Sequence, residues 1–405
     1  MSVNSMNFED SSVILNAIYE QVTGTKGSAP LDETAFISMG NTTLKQGYDK
    51  LLTGVSVVLS KTVYAIREYK GAFPQIYKDK IEWGGIVRKI IPLDTFELGE
   101  DVQYKLSDNE SIDQWKIKKQ KAVQLNFYGG NAYSGYTTIT KNQLKEAFSS
   151  SAEFGTFFAS QMTNIYNQIK THKESESRNC LLNFIGAKEK LNNNVIHLLD
   201  EYKKDTGIDL KDKSAVYNKD NFVPFAQWLY AYLETLIAFM GERSTLYHFN
   251  IKKYQGTDVK PLQKFSKYSD IRIFMLTKLL KNINATVLAS VYHDDKLSLK
   301  KFESVNFWQT ITEPEHINVV PNYLNDNGEV VENDKKAVDT SDVVGVIFDK
   351  DALGITIQNE EEDTTPYNAR GKYWNIWFNY RNRWFNDLTE NGVILELNHD
   401  TKKPE

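Results

Sequence analysis

A single cysteine, Cys180, stands in 405 residues, so no internal disulfide can form and no covalent framework of the kind that staples small secreted domains is available. Its place on an apolar-periodic stretch reads as a small buried side chain rather than a reactive thiol. No window holds the ~18 consecutive apolar residues of a membrane-spanning helix. The start, MSVNSMNFEDSS, lacks the basic-then-apolar order of a secretory leader. These absences point to a reducing, soluble compartment. A basic excess is missing too: 48 Lys and Arg against 53 Asp and Glu leave a net charge of −5, the wrong sign for wrapping nucleic acid through its phosphates.

Catalytic signatures are equally scarce. The chain has no G-x-x-x-x-G-K-[ST], no G-x-G-x-x-G after a strand, no H-E-x-x-H, no G-x-S-x-G and no C-x-x-C. Gly129-Gly130-Asn131 with Gly135 leads into strand-like Tyr136-Thr137-Thr138-Ile139, so it reads as a turn and not a phosphate loop. His293-Asp294-Asp295 are adjacent and would point apart on a strand. Asn325-Asp326-Asn327-Gly328-Glu329 lacks the closing glutamate spacing of a calcium loop. Glu360 to Asp363 reads as a solvated loop, and the six histidines are scattered singly. No catalytic, cofactor-binding or metal-ligating residue is therefore expected.

What the chain does have is aromatic side chains: 22 Tyr, 21 Phe and 7 Trp, or 12%. In a chain of mean hydropathy −0.47, so many rings fit extensive association as well as aromatic-rich cores. The most informative stretch runs from Thr138 to Lys170. Leu144, Ala147 and Phe148 make a short apolar face. After a serine run, Phe154, Phe157, Phe158, Met162, Ile165, Tyr166 and Ile169 recur at spacings of three and four, the period of an amphipathic helix. Ser149 to Ser151 offer an N-cap, with Glu153 in the first turn. Little breaks the pattern before Gly186, which predicts a rod of roughly 30 residues, about 45 Å long.

Residues 80–137 carry a strand signature. Ile86, Val87, Ile90 and Ile91 are stopped by Pro92. From Trp115 to Tyr128, Trp115, Ile117, Val123, Leu125 and Phe127 alternate with Lys116, Lys118, Gln120, Gln124 and Asn126. Two such strands predict a long antiparallel hairpin, about a dozen residues and roughly 40 Å per strand. Lys119 and Lys121 make its middle too polar for burial within one subunit. A lone two-stranded ribbon is marginal in water, so it needs a surface to lie on. Its far end is acidic (Asp94, Glu97, Glu100, Asp101, Asp108, Glu110, Asp113) and its stem basic (Lys116, Lys118, Lys119, Lys121), a pattern suited to head-to-tail docking of identical copies. Candidate intersubunit residues are Trp83, Arg88, Asp94, Glu97, Glu100, Asp101, Asp108, Trp115, Lys118, Lys119 and Lys121. Gly84, Gly85, Gly129 and Gly130 are candidate hinges, because glycine absorbs backbone changes at little cost.

Elsewhere, residues 1–55 carry short helical patterns (Val13, Ile14, Ala17, Ile18; Leu44, Tyr48, Leu51, Leu52) broken by GTKGSAP and resemble an arm. Phe225–Met240 and Ile271–Leu280 read as helices, Thr286–Val291 as a strand, and Asn327-Gly328 as a hairpin turn. Val343–Phe348, Gly354–Gln358 and Val393–Leu397 read as strands. In Tyr373–Phe385, rings interleave with Arg381 and Arg383, as on a single-stranded nucleic-acid platform. The acidic balance favours a buried sheet whose arginines pair across an interface.

Three collinear segments resemble a known family. They are Thr138-Ile139 with Leu144, Phe148, Phe154, Phe157 and Ile165-Tyr166-Asn167; Val346-Ile347-Phe348-Asp349-Lys350-Asp351; and Asn368-Ala369-Arg370-Gly371-Lys372-Tyr373-Trp374-Asn375, where the family has Pro in place of Ala369. The resemblance is to the major capsid proteins of tailed bacteriophages, among them those of small podophages of the phi-twenty-nine type, with the Hong Kong-ninety-seven-type capsid fold. It covers 80–185 and 340–400 well and the middle only in character. No extra immunoglobulin-like domain, which some relatives carry, is expected after Leu397.

The resemblance implies an α+β fold. Residues 1–80 would be the N-terminal arm and 81–137 an extended loop over a neighbour. Residues 138–204 and 336–405 would form the peripheral domain with its spine helix, and 205–335 the axial domain. It implies a non-enzymatic shell protein without cofactors, whose partners are itself in pentamers and hexamers, portal and scaffolding proteins, loosely the packaged double-stranded DNA, and no membrane. Its place would be the virion, and the host cytoplasm during assembly. An encapsulin-like compartment, or an aromatic-rich carbohydrate-binding protein, are the alternatives.

Overall fold

The computed structural model describes residues 8–46, 50, 55, 73–78, 87–92, 105–112, 115, 117, 122–127, 130–254, 257–290, 302–332 and 335–400. The chain divides into two compact units. One comprises Met1–Trp83, Gly130–Ser177 and Ile355–Arg383; the other Gly84–Gly129, Arg178–Gly354 and Trp384–Glu405.

In the first unit a sheet runs in the order Tyr77–Lys78, Leu353–Thr364, Tyr373–Asn386, Asn131–Thr140. The last two strands are antiparallel, with Trp374 opposite Ile139 and Phe378 opposite Gly135. Alternation does the sorting: Trp374, Ile376 and Phe378 are buried while the residues between them are not. This apolar face meets helices Phe8–Thr23, Glu33–Lys45 and Lys141–Ala147 and the start of a long helix from Ser151, in a core that includes Leu15, Ile18, Phe36, Leu144, Phe148 and Phe158. Phe154 lies at its centre, edge-on to Phe36 (5.5 Å) and Phe148 (5.3 Å). Burying each such ring contributes about 1.5–3 kcal/mol.

Caps set the helix starts. The Asp32 carboxylate accepts from Ala35 N–H at 2.7 Å. Thr140 and Gln143 form a reciprocal capping box, and Ser150 Oγ accepts from Glu153 N–H at 3.2 Å. The N-terminal stretch read as an arm thus supplies two helices to this core. Its first helix buries Ser11, Leu15, Ile18 and Val22, leaving Val13 61% exposed; Leu15 takes the place expected for Val13. The expected pattern at Tyr48, Leu51 and Leu52 lies outside the described residues.

The long helix spans Ser151–Leu191, 41 residues or about 60 Å of contour, against the roughly 30 expected. Gly186 does not end it. A Cβ at Gly186 would come within 2.6 Å of Val319 Cγ1, so close approach of another segment accounts for the glycine. Termination falls to Asn192, in the left-handed region at φ 46.

The second unit holds a five-stranded sheet, Val195–His197, Gly392–Glu396, Val343–Asp349, Ile271–Leu276, Phe302–Val305. The central Val343–Asp349 is buried throughout, which is why it reads as an unbroken apolar run. The helix expected over Ile271–Leu280 is instead a strand to Leu276 followed by helix Thr277–Ser290, which also replaces the strand expected from Thr286. A short buried apolar run fits either element, and pairing with Val343–Asp349 selects the strand. Helix Lys219–Gly241 contains the expected Phe225–Met240 face. Asn327-Gly328 forms the expected turn between Tyr323–Leu324 and Val330–Val331, with Gly328 at φ 75.

Candidate assembly surfaces

The hairpin is the segment for which an intermolecular role is expected. Val87–Pro92 pairs antiparallel with Ala122–Phe127, Val87 opposite Phe127 and Pro92 opposite Ala122. These described strands are six residues each, and the residues flanking them lie outside the described residues. Trp115 sits in a turn and Ile117 outside any strand, and Ala122 is in strand; the residues of the predicted alternation between Ile117 and Ala122 lie outside the described residues. The paired part is the part with something to lie on: Leu125 and Ile91 pack against Leu262 and Val259. The surface that the hairpin is expected to need is, at its root, its own chain; its middle, at Lys119 and Lys121, lies outside the described residues.

Charge holds the root as well. The Lys89 ammonium meets both the Asp387 and Glu390 carboxylates, and Lys264 reaches Glu390 at 2.8 Å. Burial works against a charge on Lys89, yet the two carboxylates hold its pKa above the ordinary lysine value. Burial likewise opposes ionisation of Glu390, and Lys89 with Lys264 reverse the sign, keeping it below the usual carboxylate range. Asp387 also accepts from Thr389 N–H at 2.9 Å and Thr389 Oγ1 at 2.6 Å. Beneath lies Lys188, fully buried, whose Nζ donates to Asn193 Oδ1 at 3.2 Å. Burial, partly offset by Asp387, lowers its pKa to about 7. Beside it, burial pulls His248 down and pushes Asp349 up. Sequence reading missed Lys89, Lys188, Lys264, Asp387 and Glu390, since the partners lie up to about 300 positions apart and no local pattern links them.

The outer hairpin region differs. Ser107–Glu110 form a tight turn, with Asn109 at φ 73 and Glu110 N–H donating to the Ser107 carbonyl at 3.1 Å. Asp108 is exposed there. Large apolar side chains nearby face outward: Trp115 is 80% and Ile117 83% exposed, and Leu106 and Ile112 are exposed too. Arg88 lies on the strand opposite Asn126. Trp83, Asp94, Glu97, Glu100, Asp101, Lys118, Lys119, Lys121, Gly84, Gly85 and Gly129 lie outside the described residues. At Gly130 a Cβ would come within 3.2 Å of the Asn382 carbonyl, a packing reason for glycine beside the expected freedom.

The residues carrying the family resemblance build the frame. Leu144, Phe148 and Phe154 are buried in the first core, with Phe157 packed against it. Asp349 closes a turn by accepting from Asp351 N–H at 2.9 Å, and Lys350 pairs with Asp270 at 3.0 Å. Asn368 Oδ1 accepts from Gly371 N–H at 2.9 Å, a Cβ at Gly371 would strike the Tyr373 ring, and Trp374 is buried against Tyr367. Arg370 is exposed. With Trp374, Ile376 and Phe378 buried, the aromatic stretch is a sheet strand and not an open stacking platform. Among the described residues no group of acids, histidines and cysteine could hold a metal ion.

No curated protein sequence matches the chain. Among solved structures it is similar to a capsid structure of Staphylococcus phage Andhra, at 13% identity and TM-score 0.51 over 79% of this chain and 82% of that one. It is also similar to a chain in a structure of the head fibre and inner core protein of native bacteriophage P68, at 12% identity and TM-score 0.51 over 81% and 84%. At such identity these likenesses show a shared α+β fold. The sequence carries the family: from residue 32 to residue 395 it matches the model of the phi29-like phage major capsid proteins, and to that family the chain belongs.

Proposed function

We propose that this capsid protein builds a closed icosahedral shell from copies of itself, as pentamers and hexamers around double-stranded phage DNA, and that the region 81–137 reaches over a neighbouring copy. The observation that carries this is the outward-facing group Leu106, Ile112, Trp115 and Ile117 beyond a root fixed on its own chain. Large apolar side chains left exposed along one short stretch of chain are the kind of surface that association buries. On this reading 1–80 is the arm, 138–204 with 336–405 the peripheral domain and 205–335 the axial domain, the five-stranded sheet being shared between the last two. Contacts repeated under symmetry close the shell, the acidic balance keeps DNA loosely held, portal and scaffolding proteins are partners, and the chain does no catalysis. Assembly takes place in the host cytoplasm, and the finished chain is a virion component.

Electron microscopy and sedimentation of the purified full chain test it. Closed particles built of many 46.5 kDa chains are expected; a stable monomer at high concentration overturns the proposal. Trp115→Ser with Ile117→Ser is expected to abolish particles while leaving the far-ultraviolet circular dichroism of the monomer unchanged. Replacing Gly84 and Gly85, or Gly129 and Gly130, by valine should do the same, and normal particles from those variants would remove the glycines from the mechanism.

A further inference from the structure

One face of the second unit carries a groove that neither the hairpin nor the sheet explains. Helices Leu198–Thr206 and Lys219–Gly241 border it, with a volume of about 470 Å³. Four rings line it, Trp228, Tyr232, Phe239 and Tyr247, together with the carboxylates of Glu201 and Asp205. The spacing explains the convergence: Trp228 and Tyr232 lie four apart on one helix, and Glu201 and Asp205 four apart on the other, so each pair shares a face.

Trp228 is held in place. Its ring stacks on Tyr232 at 5.0 Å and 27°, meets Tyr202 edge-on at 5.1 Å, and its Nε1 donates to Asp205 Oδ2 at 2.9 Å. Phe239 at the rim is 56% exposed. The groove is lined by two carboxylates, Glu201 and Asp205, against one ammonium, Lys204; burial first, then Glu201, Tyr247 and Asp205, push the Tyr232 phenol well above its ordinary pKa. Lys204, at the lip, pairs with Glu201 at 3.2 Å, but its side chain is 71% exposed, and so solvated a pair is weak and displaceable.

We propose that this groove binds an alkylammonium group, presented either by a free polyamine or by a lysine side chain of another protein. Ring faces attract a cation through their quadrupole and accept its methylenes, while the two carboxylates supply the countercharge. A neutral ligand would leave Asp205 without a cationic partner, and an anion would meet repulsion from it. The site does not depend on the shell reading.

Isothermal titration calorimetry of the full chain tests the proposal with spermidine, with Nα-acetyl-lysine amide, and with butanediol as a neutral mimic. Saturable binding of one cation per chain is expected, with Kd on the order of 1 mM. Glu201→Gln with Asp205→Asn should weaken it about tenfold or more, and Phe239→Ser, at an exposed position that the fold tolerates, several-fold. Binding of spermidine alone identifies a free polyamine as the ligand; equal binding of the lysine amide identifies a side chain. The proposal is overturned if no cation binds saturably, if butanediol binds as well, or if both variants titrate like the parent.

Discussion

The core of the first unit and the hairpin root of the second solve the same problem, fixing segments distant in sequence, by opposite means. Around Phe154 the contacts are rings and aliphatic chains meeting edge to face. Such packing is non-directional, so volume decides what is tolerated. At the root the contacts are ionised groups, Lys89, Lys264, Asp387 and Glu390 above the buried Lys188. Here the charge of each group is specified by its partners, and volume alone satisfies nothing. The first arrangement contributes stability broadly. The second contributes little net stability, because desolvating the charges offsets much of their attraction.

That contrast can be broken most severely at Lys188. Its pKa is about 7 in the folded chain and near 10.5 when unfolded, so between these values the unfolded state binds more protons. Stability is therefore full above pH 10.5 and is lost as pH falls towards 7, by roughly 3–6 kcal/mol. Urea unfolding at several pH values should show this slope, and Lys188→Met should flatten it. An unchanged slope would mean that burial does not govern this amine.

Asp387 comes next. Asp387→Ala leaves Lys89 with Glu390 as its remaining carboxylate and removes the acceptor of Thr389, with an expected loss of about 2–3 kcal/mol. Asp387→Asn, almost identical in shape, should lose most of that, as measured by the same unfolding midpoints. The smallest effect belongs to the apolar side: Phe154→Leu changes shape yet stays hydrophobic, and should cost about 1–2 kcal/mol. If Asp387→Asn proved milder than Phe154→Leu, charge would not be what distinguishes the root.

These regions also differ in how legibly the sequence shows them. Phe154, Phe158 and Ile165 announce their face by spacing, because a helix buries one stripe and the stripe recurs every three to four residues. Trp374, Ile376 and Phe378 do the same by alternation. The serine run located the start of the long helix, which begins at Ser151. At Ile271–Leu276 the signal failed, since a buried run whose one polar residue is Arg272 has too little period to read. In the hairpin the alternation at Val123, Leu125 and Phe127 is paired strand, seated where Leu125 meets Ile91 and Leu262. The charged root left no trace at all, because Lys89 and Asp387 carry information only when they meet.

By itself, then, the sequence determined the periodic elements, the want of a second cysteine for an internal disulfide, and the family, since each depends on residues close together or in collinear order. Tertiary structure alone decided which carboxylates clasp the hairpin, why Gly186 and Gly130 have no side chain, and that rings on one helix and acids on another line a single groove. The reason is physical: hydrophobic period is a local property of the chain, whereas electrostatic pairing and close approach belong to distances that exist only after folding.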